Sequence, residues 1–93
     1  MKKVVAAKLH IKKEAEKNFL ELAEKLVVQT RKEEGCHSYN LYRDCFSTEL
    51  KFIFYEEYKD ESALSAHNSS EYLKKFFKEV TPLLAVDPII NYF

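Results

Sequence analysis

Apolar and polar residues change their spacing along this chain, and the changes mark out its elements. Residues 3 to 11 hold Val4, Val5, Ala6, Ala7, Leu9 and Ile11, and the run Lys8-Leu9-His10-Ile11-Lys12 alternates polar with apolar, the period of a half-buried strand. From Glu14 the period lengthens. Ala15, Phe19, Leu22, Ala23, Leu26, Val27 and Thr30 fall on one stripe of a helix that ends near Glu34. Gly35, the only glycine, follows directly, and its place predicts a helix C-cap in the left-handed conformation. Residues 36 to 46 and 51 to 59 alternate aromatic and polar side chains on either side of Ser47, Thr48 and Glu49, the pattern of a hairpin. In its second arm Phe52, Phe54, Glu56 and Tyr58 share one face, with Ile53, Tyr55 and Glu57 on the other.

Helical spacing returns after Asp60, an N-cap residue, in a short helix through Ala63, Leu64 and His67. Ser69 or Ser70 caps a second helix through Tyr72, Leu73, Phe76, Phe77 and Val80, and Pro82 stops it. Residues 86 to 93, with Ile89, Ile90, Tyr92 and Phe93, read as a last strand with Pro88 near its start. The order β-α-β-β-α-β is the split βαβ, ferredoxin-like motif, an α+β fold with an antiparallel sheet. With no linker or repeat, residues 1 to 93 are read as a single domain. Helices on one side of such a sheet leave the apolar residues of its other face in need of a cover, and a second subunit is the expected one.

Composition narrows the function. A domain of 93 residues buries only roughly 60 to 65% of its unfolded surface, so there is room for one core. The chain is 46% hydrophobic, with seven Phe and six Tyr, which argues against disorder. Lys plus Arg and Asp plus Glu both number 15, so no long-range field favours nucleic acid or an anionic membrane. The lysine pairs Lys12-Lys13 and Lys74-Lys75 are interleaved with Glu14, Glu16, Glu71 and Glu79, as on solvated helix faces. The apolar run after Lys2 and Lys3 is too short for a signal segment or a membrane span, and a cytoplasmic location is expected. Cys36 and Cys45, on one strand, would lie roughly 30 Å apart and are read as reduced thiols. Cys36 and His37 point to opposite faces of that strand, so no metal site is expected there.

The common hydrolase, phosphate-loop and zinc signatures are absent. Attention falls instead on Glu56, a carboxylate inside an apolar row, which is costly to bury without a partner. His67 shares a helix face with Ala63 and Leu64 and is the expected partner; a Glu beside an imidazole fixes its tautomer and raises its basicity, as a general base requires. Tyr39, Tyr42, Tyr55, Tyr58 and Tyr72 are read mainly as core or interface aromatics, one or two of them lining a pocket. His10 and His37 are expected to be exposed or interfacial, and Arg43 to pair with a partner subunit's carboxylate or an anionic substrate.

The run Glu34-Gly35-Cys36, Tyr39, Leu41-Tyr42-Arg43-Asp44, Tyr55-Glu56, Tyr58, Ala63-Leu64, His67, Ser70 and Pro82-Leu83-Leu84 resembles the antibiotic biosynthesis monooxygenase domain family over essentially the whole chain. The resemblance implies a homodimer, two sheets packed face to face into an α/β-barrel body. It also implies a pocket between sheet and helices, and oxidation of an aromatic quinol or phenol by molecular oxygen without metal, flavin or other cofactor. In that reading His67 is the base and Glu56 its orienter, with Tyr72, Tyr58, Phe54, Tyr39 and Phe76 around the substrate. Tyr58 stands where many members have Trp. Ala7 and Phe77 stand where the haem-degrading branch has Asn and His, which disfavours haem. An isomerase of a small phosphorylated metabolite and a non-enzymatic dimeric binding or stress-response module are the alternatives.

Overall fold

The computed structural model describes residues 1–93. Strand β1 (Lys3–Ile11) runs through a 3-10 turn (Lys13–Ala15) into helix α1 (Glu16–Arg31). The hairpin strands β2 (Cys36–Arg43) and β3 (Leu50–Tyr58) follow, then helices α2 (Glu61–Asn68) and α3 (Glu71–Val80). A 3-10 turn (Thr81–Leu83) precedes the last strand, β4 (Ile89–Tyr92). The sheet has the order β2-β3-β1-β4 and every pairing is antiparallel, so the α+β ferredoxin-like arrangement read from the sequence is the fold.

Period-2 alternation builds the core. Val5, Ala7, Leu9 and Ile11 of β1 are buried and pair in register with Glu56, Phe54, Phe52 and Leu50 of β3, so one face of the two central strands is a continuous apolar surface broken by one carboxyl. Ala15 of the 3-10 turn and Phe19, Ala23, Leu26 and Thr30 of helix α1 lie on that surface, and α3 adds Leu73, Phe76 and Val80. The Phe19 ring meets Phe52 with centroids 4.8 Å apart, and Phe76 meets Phe54 edge-on at 5.9 Å. Each such side chain contributes about 1.5–3 kcal/mol by leaving water. The opposite sheet face carries Val4, Ala6, Ile53 and Tyr55, half-buried, and Tyr42, exposed.

Several boundaries differ from the sequence reading. β2 ends at Arg43, because Asp44 accepts a side-chain hydrogen bond from the Phe46 N–H (3.1 Å) and turns the chain. β4 is shorter than residues 86 to 93, and all four of its residues are exposed. A bulge between Cys36 and Ser38 lets Cys36 and Tyr39 both face inward, opposite Tyr58 and Glu56, which strict alternation forbids. Arg43 reaches Glu16 of its own α1 (3.4 Å). Both cysteines are free thiols. Asp60 caps α2 as expected, accepting from the Ala63 N–H at 2.9 Å. Ser70 stands at the N-cap of α3, but its hydroxyl donates to the His67 carbonyl (2.8 Å) and so ties α2 to α3.

Gly35 is not a left-handed cap. α1 ends at Arg31 with Lys32 as its C-cap, and no residue of the chain has positive φ. The glycine is there for close approach: a Cβ at position 35 would stand 2.3 Å from the Ala63 Cβ. The segment leaving α1 therefore lies against the face of α2 that carries Ala63 and, one turn on, His67. Gly35→Ala should cost about 1–3 kcal/mol by overpacking this contact. Combined with Ala63→Gly in a double-mutant cycle followed by urea unfolding, the two losses should couple, the pair being more stable than their sum predicts. Simple additivity would show that the contact is not what requires glycine.

Candidate functional site

The carboxyl that interrupts the apolar row is the origin of the site. Strand alternation turns Glu56 inward with Phe54 and Tyr58, and only 5% of it is exposed. The Tyr58 hydroxyl donates to Glu56 Oε1 at 2.8 Å. His67 projects from α2 onto the same face of the sheet and is 2% exposed. Its Nε2 stands 4.0 Å from Glu56 Oε1, too long for a direct hydrogen bond. Its Nδ1 stands 3.0 Å from Glu33 Oε2. The rings of Tyr58, Tyr39 and Tyr72 surround the imidazole, with centroids at 5.2, 5.5 and 6.4 Å.

A cavity of about 60 Å³ opens beside these groups. Glu56, His67, Tyr39, Phe54 and Phe76 line it, together with Val5 and Ala7 of β1, and Ile90 and Tyr92 of β4 form its outer wall. Five residues expected from the sequence thus converge on one space. Two do not. Tyr58 is fully buried behind Glu56 and serves it as a hydrogen-bond donor, and it forms no part of the wall. Tyr72 lies in a groove between α1 and α3, beside Leu22, Gln29 and Lys75, with its hydroxyl buried and unpartnered.

The residue that sequence reasoning missed is Glu33. It is separated from His67 by 34 positions and belongs to no strand or helix. The available signal was the only glycine two residues later: Gly35 presses this segment onto α2 and so delivers the Glu33 carboxylate to the imidazole. Glu33 and Glu56 bond or face opposite nitrogens of one ring, so the three side chains cannot converge on one ion. No group of three or more His, Cys, Asp or Glu is placed to hold a metal.

Burial sets the protonation of this cluster. It pushes the Glu56 carboxyl from the ordinary 4.5 up to about 7, the Tyr58 hydrogen bond opposing and the Glu33 charge reinforcing the shift. Burial and the nearby Glu56 charge raise Tyr39 and Tyr58, which remain phenols. Cys36 is pushed to about 11 by burial and by Glu33, so it is a thiol and no nucleophile at neutral pH. Because the folded chain holds the Glu56 proton more tightly than the unfolded one, this group's stabilisation is complete below about pH 4.5 and is lost as pH rises through about 7. The loss amounts to about 3 kcal/mol. Unfolding free energies of the parent chain from urea titrations should therefore fall between about pH 5 and about pH 8, and those of Glu56→Gln should fall less by about 3 kcal/mol. Equal slopes would place an ordinary carboxylate at this position.

The sequence pattern of the antibiotic biosynthesis monooxygenase family matches residues 3–79. Over 82 residues, 88% of this chain, it is 33% identical to the putative monooxygenase YcnE of Bacillus subtilis and covers 85% of that protein. It is 30% identical over the same span to the uncharacterized protein sll1783 of Synechocystis, of whose length it covers 55%. Among solved structures, a conserved protein from Methanosarcina mazei superposes with a TM-score of 0.94 at 32% identity, over all of this chain and 91% of that one. By the match over residues 3–79 and by these identities, the chain belongs to the antibiotic biosynthesis monooxygenase family.

Proposed function

We propose that this protein is a cofactor-independent monooxygenase that oxidises a small aromatic quinol or phenol with molecular oxygen, His67 being the base. The observation that supports this most is a buried imidazole whose Nε2 stands beside a high-pKa carboxyl on an aromatic cavity. Nε2 takes the proton of a substrate hydroxyl, and the low-polarity surroundings keep the resulting anion electron-rich. The anion gives an electron to oxygen, and the radical pair closes a carbon–oxygen bond. The imidazolium returns its proton to the peroxide, which loses water and leaves a quinone carbonyl. One substrate and one dioxygen thus give one oxidised product and one water. Glu56, protonated up to about pH 7, supplies a hydrogen bond to the oxygen that bears the developing charge.

A space of about 60 Å³ holds a few water molecules, so an aromatic ring enters as the outer wall of exposed Ile90 and Tyr92 yields. The protein acts as a homodimer in the cytoplasm in this reading, the half-apolar outer face of the sheet being the surface that a second copy covers. No helix is long and apolar enough to cross a membrane.

Oxygen uptake with a panel of quinols and phenols, together with product analysis, checks the chemistry. His67→Ala should lower kcat by about a hundredfold or more. Turnover that survives the change would remove His67 from the reaction, and turnover independent of oxygen would point to isomerisation. Sedimentation at micromolar concentration should give a dimer, with Ile53→Asp shifting it to monomer; a monomeric parent chain contradicts the outer face as an interface.

A further inference from the structure

His67 has two ring nitrogens, and the proposed reaction uses one. The other, Nδ1, faces away from Glu56 and meets a carboxylate oxygen of Glu33 at 3.0 Å. Of the polar groups around the ring, Glu56 and Tyr58 from β3 and Tyr39 from β2 are buried, and so is the Tyr72 hydroxyl on α3, while exposed Asn68 stands at the rim of the cavity. Glu33 differs from the buried groups, because 22% of its side chain is open to solvent. The chain of groups therefore has a buried end at Glu56 and a solvent-exposed end at Glu33, with the imidazole between them.

We propose that Glu33 is the positioning residue of the site, fixing His67 as the Nδ1–H tautomer and carrying the displaced proton from the buried ring to water. An ionised carboxylate only accepts hydrogen bonds, so Nδ1 carries the hydrogen and Nε2 keeps its lone pair towards the cavity. When Nε2 binds the substrate's proton, the ring holds one proton too many. Nδ1 releases its own to Glu33 Oε2, and Glu33 hands it to solvent. One N–H bond forms at Nε2, one breaks at Nδ1, and the ring is neutral again in the opposite tautomer. The reverse sequence returns a proton to the cavity for the peroxide step. Without such an outlet the ring would stay an imidazolium, a charge in buried surroundings where it is poorly solvated, until the peroxide step.

The assignment rests on the monooxygenase reading for what the proton is used for, but the tautomer does not, and it can be observed directly. Nitrogen-15 correlation spectra of histidine-labelled protein at about pH 8 should show His67 protonated at Nδ1 in the resting chain and in Glu33→Gln, whose amide oxygen still accepts that hydrogen. In Glu33→Ala the Nδ1–H form should give way to the Nε2–H form. With a quinol that the parent chain oxidises, Glu33→Gln should lower kcat about tenfold or more while KM stays within about twofold. Formate should restore part of the rate in Glu33→Ala. A bare Nδ1 in the resting protein, or an unchanged tautomer in a folded Glu33→Ala, overturns the proposal, as does full activity in Glu33→Gln. If no quinol is turned over, the failure falls on the reaction, and the tautomer decides the role of Glu33.

Discussion

The inward face of β3 sets most of what this molecule is. Leu50, Phe52, Phe54, Glu56 and Tyr58 follow one another on it at a period of two, and every one is buried. Four of the five give the helices an apolar and aromatic floor to pack on. The fifth is a carboxyl largely withdrawn from water, and such a group must be neutralised or hydrogen-bonded. Both happen here, through the raised proton affinity of Glu56 and through the hydroxyl of Tyr58. The same packing that stabilises the domain thus poises its acid and base groups. Removing the aromatic floor would loosen the fold and return Glu56 to an ordinary carboxylate together.

The helices add what the strand lacks. Asp60 fixes where α2 begins, and the Ser70 hydroxyl on the His67 carbonyl fixes how it passes into α3. Between those two ties His67 has little freedom to leave the sheet. Gly35 then allows the segment after α1 to close on α2, which brings in Glu33. Three separate stretches of chain meet at one imidazole because of one alternation pattern, one helix cap and one missing Cβ.

This division explains what could be read before the structure. The alternation of β1 and β3, the stripe of α1 and the Asp60 cap are local periodicities, and each appears where the spacing of residues placed it. That Glu56 and His67 face one space followed from the cost of a carboxyl in an apolar row, but Glu56 is not the orienter expected of it: its hydrogen bond comes from Tyr58, and the imidazole's partner is Glu33. Glu33 did not follow, because its role depends on a close approach of two backbones that no local period encodes. Gly35 was misread for the same reason: a glycine after a helix usually marks a left-handed turn, and here it marks lack of room. The bulge near Ser38 and the burial of Tyr58 behind Glu56 are likewise products of tertiary packing. In Tyr72, an aromatic close to His67 in sequence, proximity to the ring was legible but the side of the helix pair it faces was not.

The central claim is that burial in an aromatic row raises the proton affinity of one carboxyl beside a histidine until it titrates near neutral pH. Carbon-13 labelling of the glutamate side chains, with the Glu56 resonance assigned by its loss in Glu56→Gln, reports that proton directly as pH is varied. The account predicts a titration midpoint near 7 for Glu56 in the folded chain. A midpoint in the ordinary carboxylate range near 4.5 would contradict it.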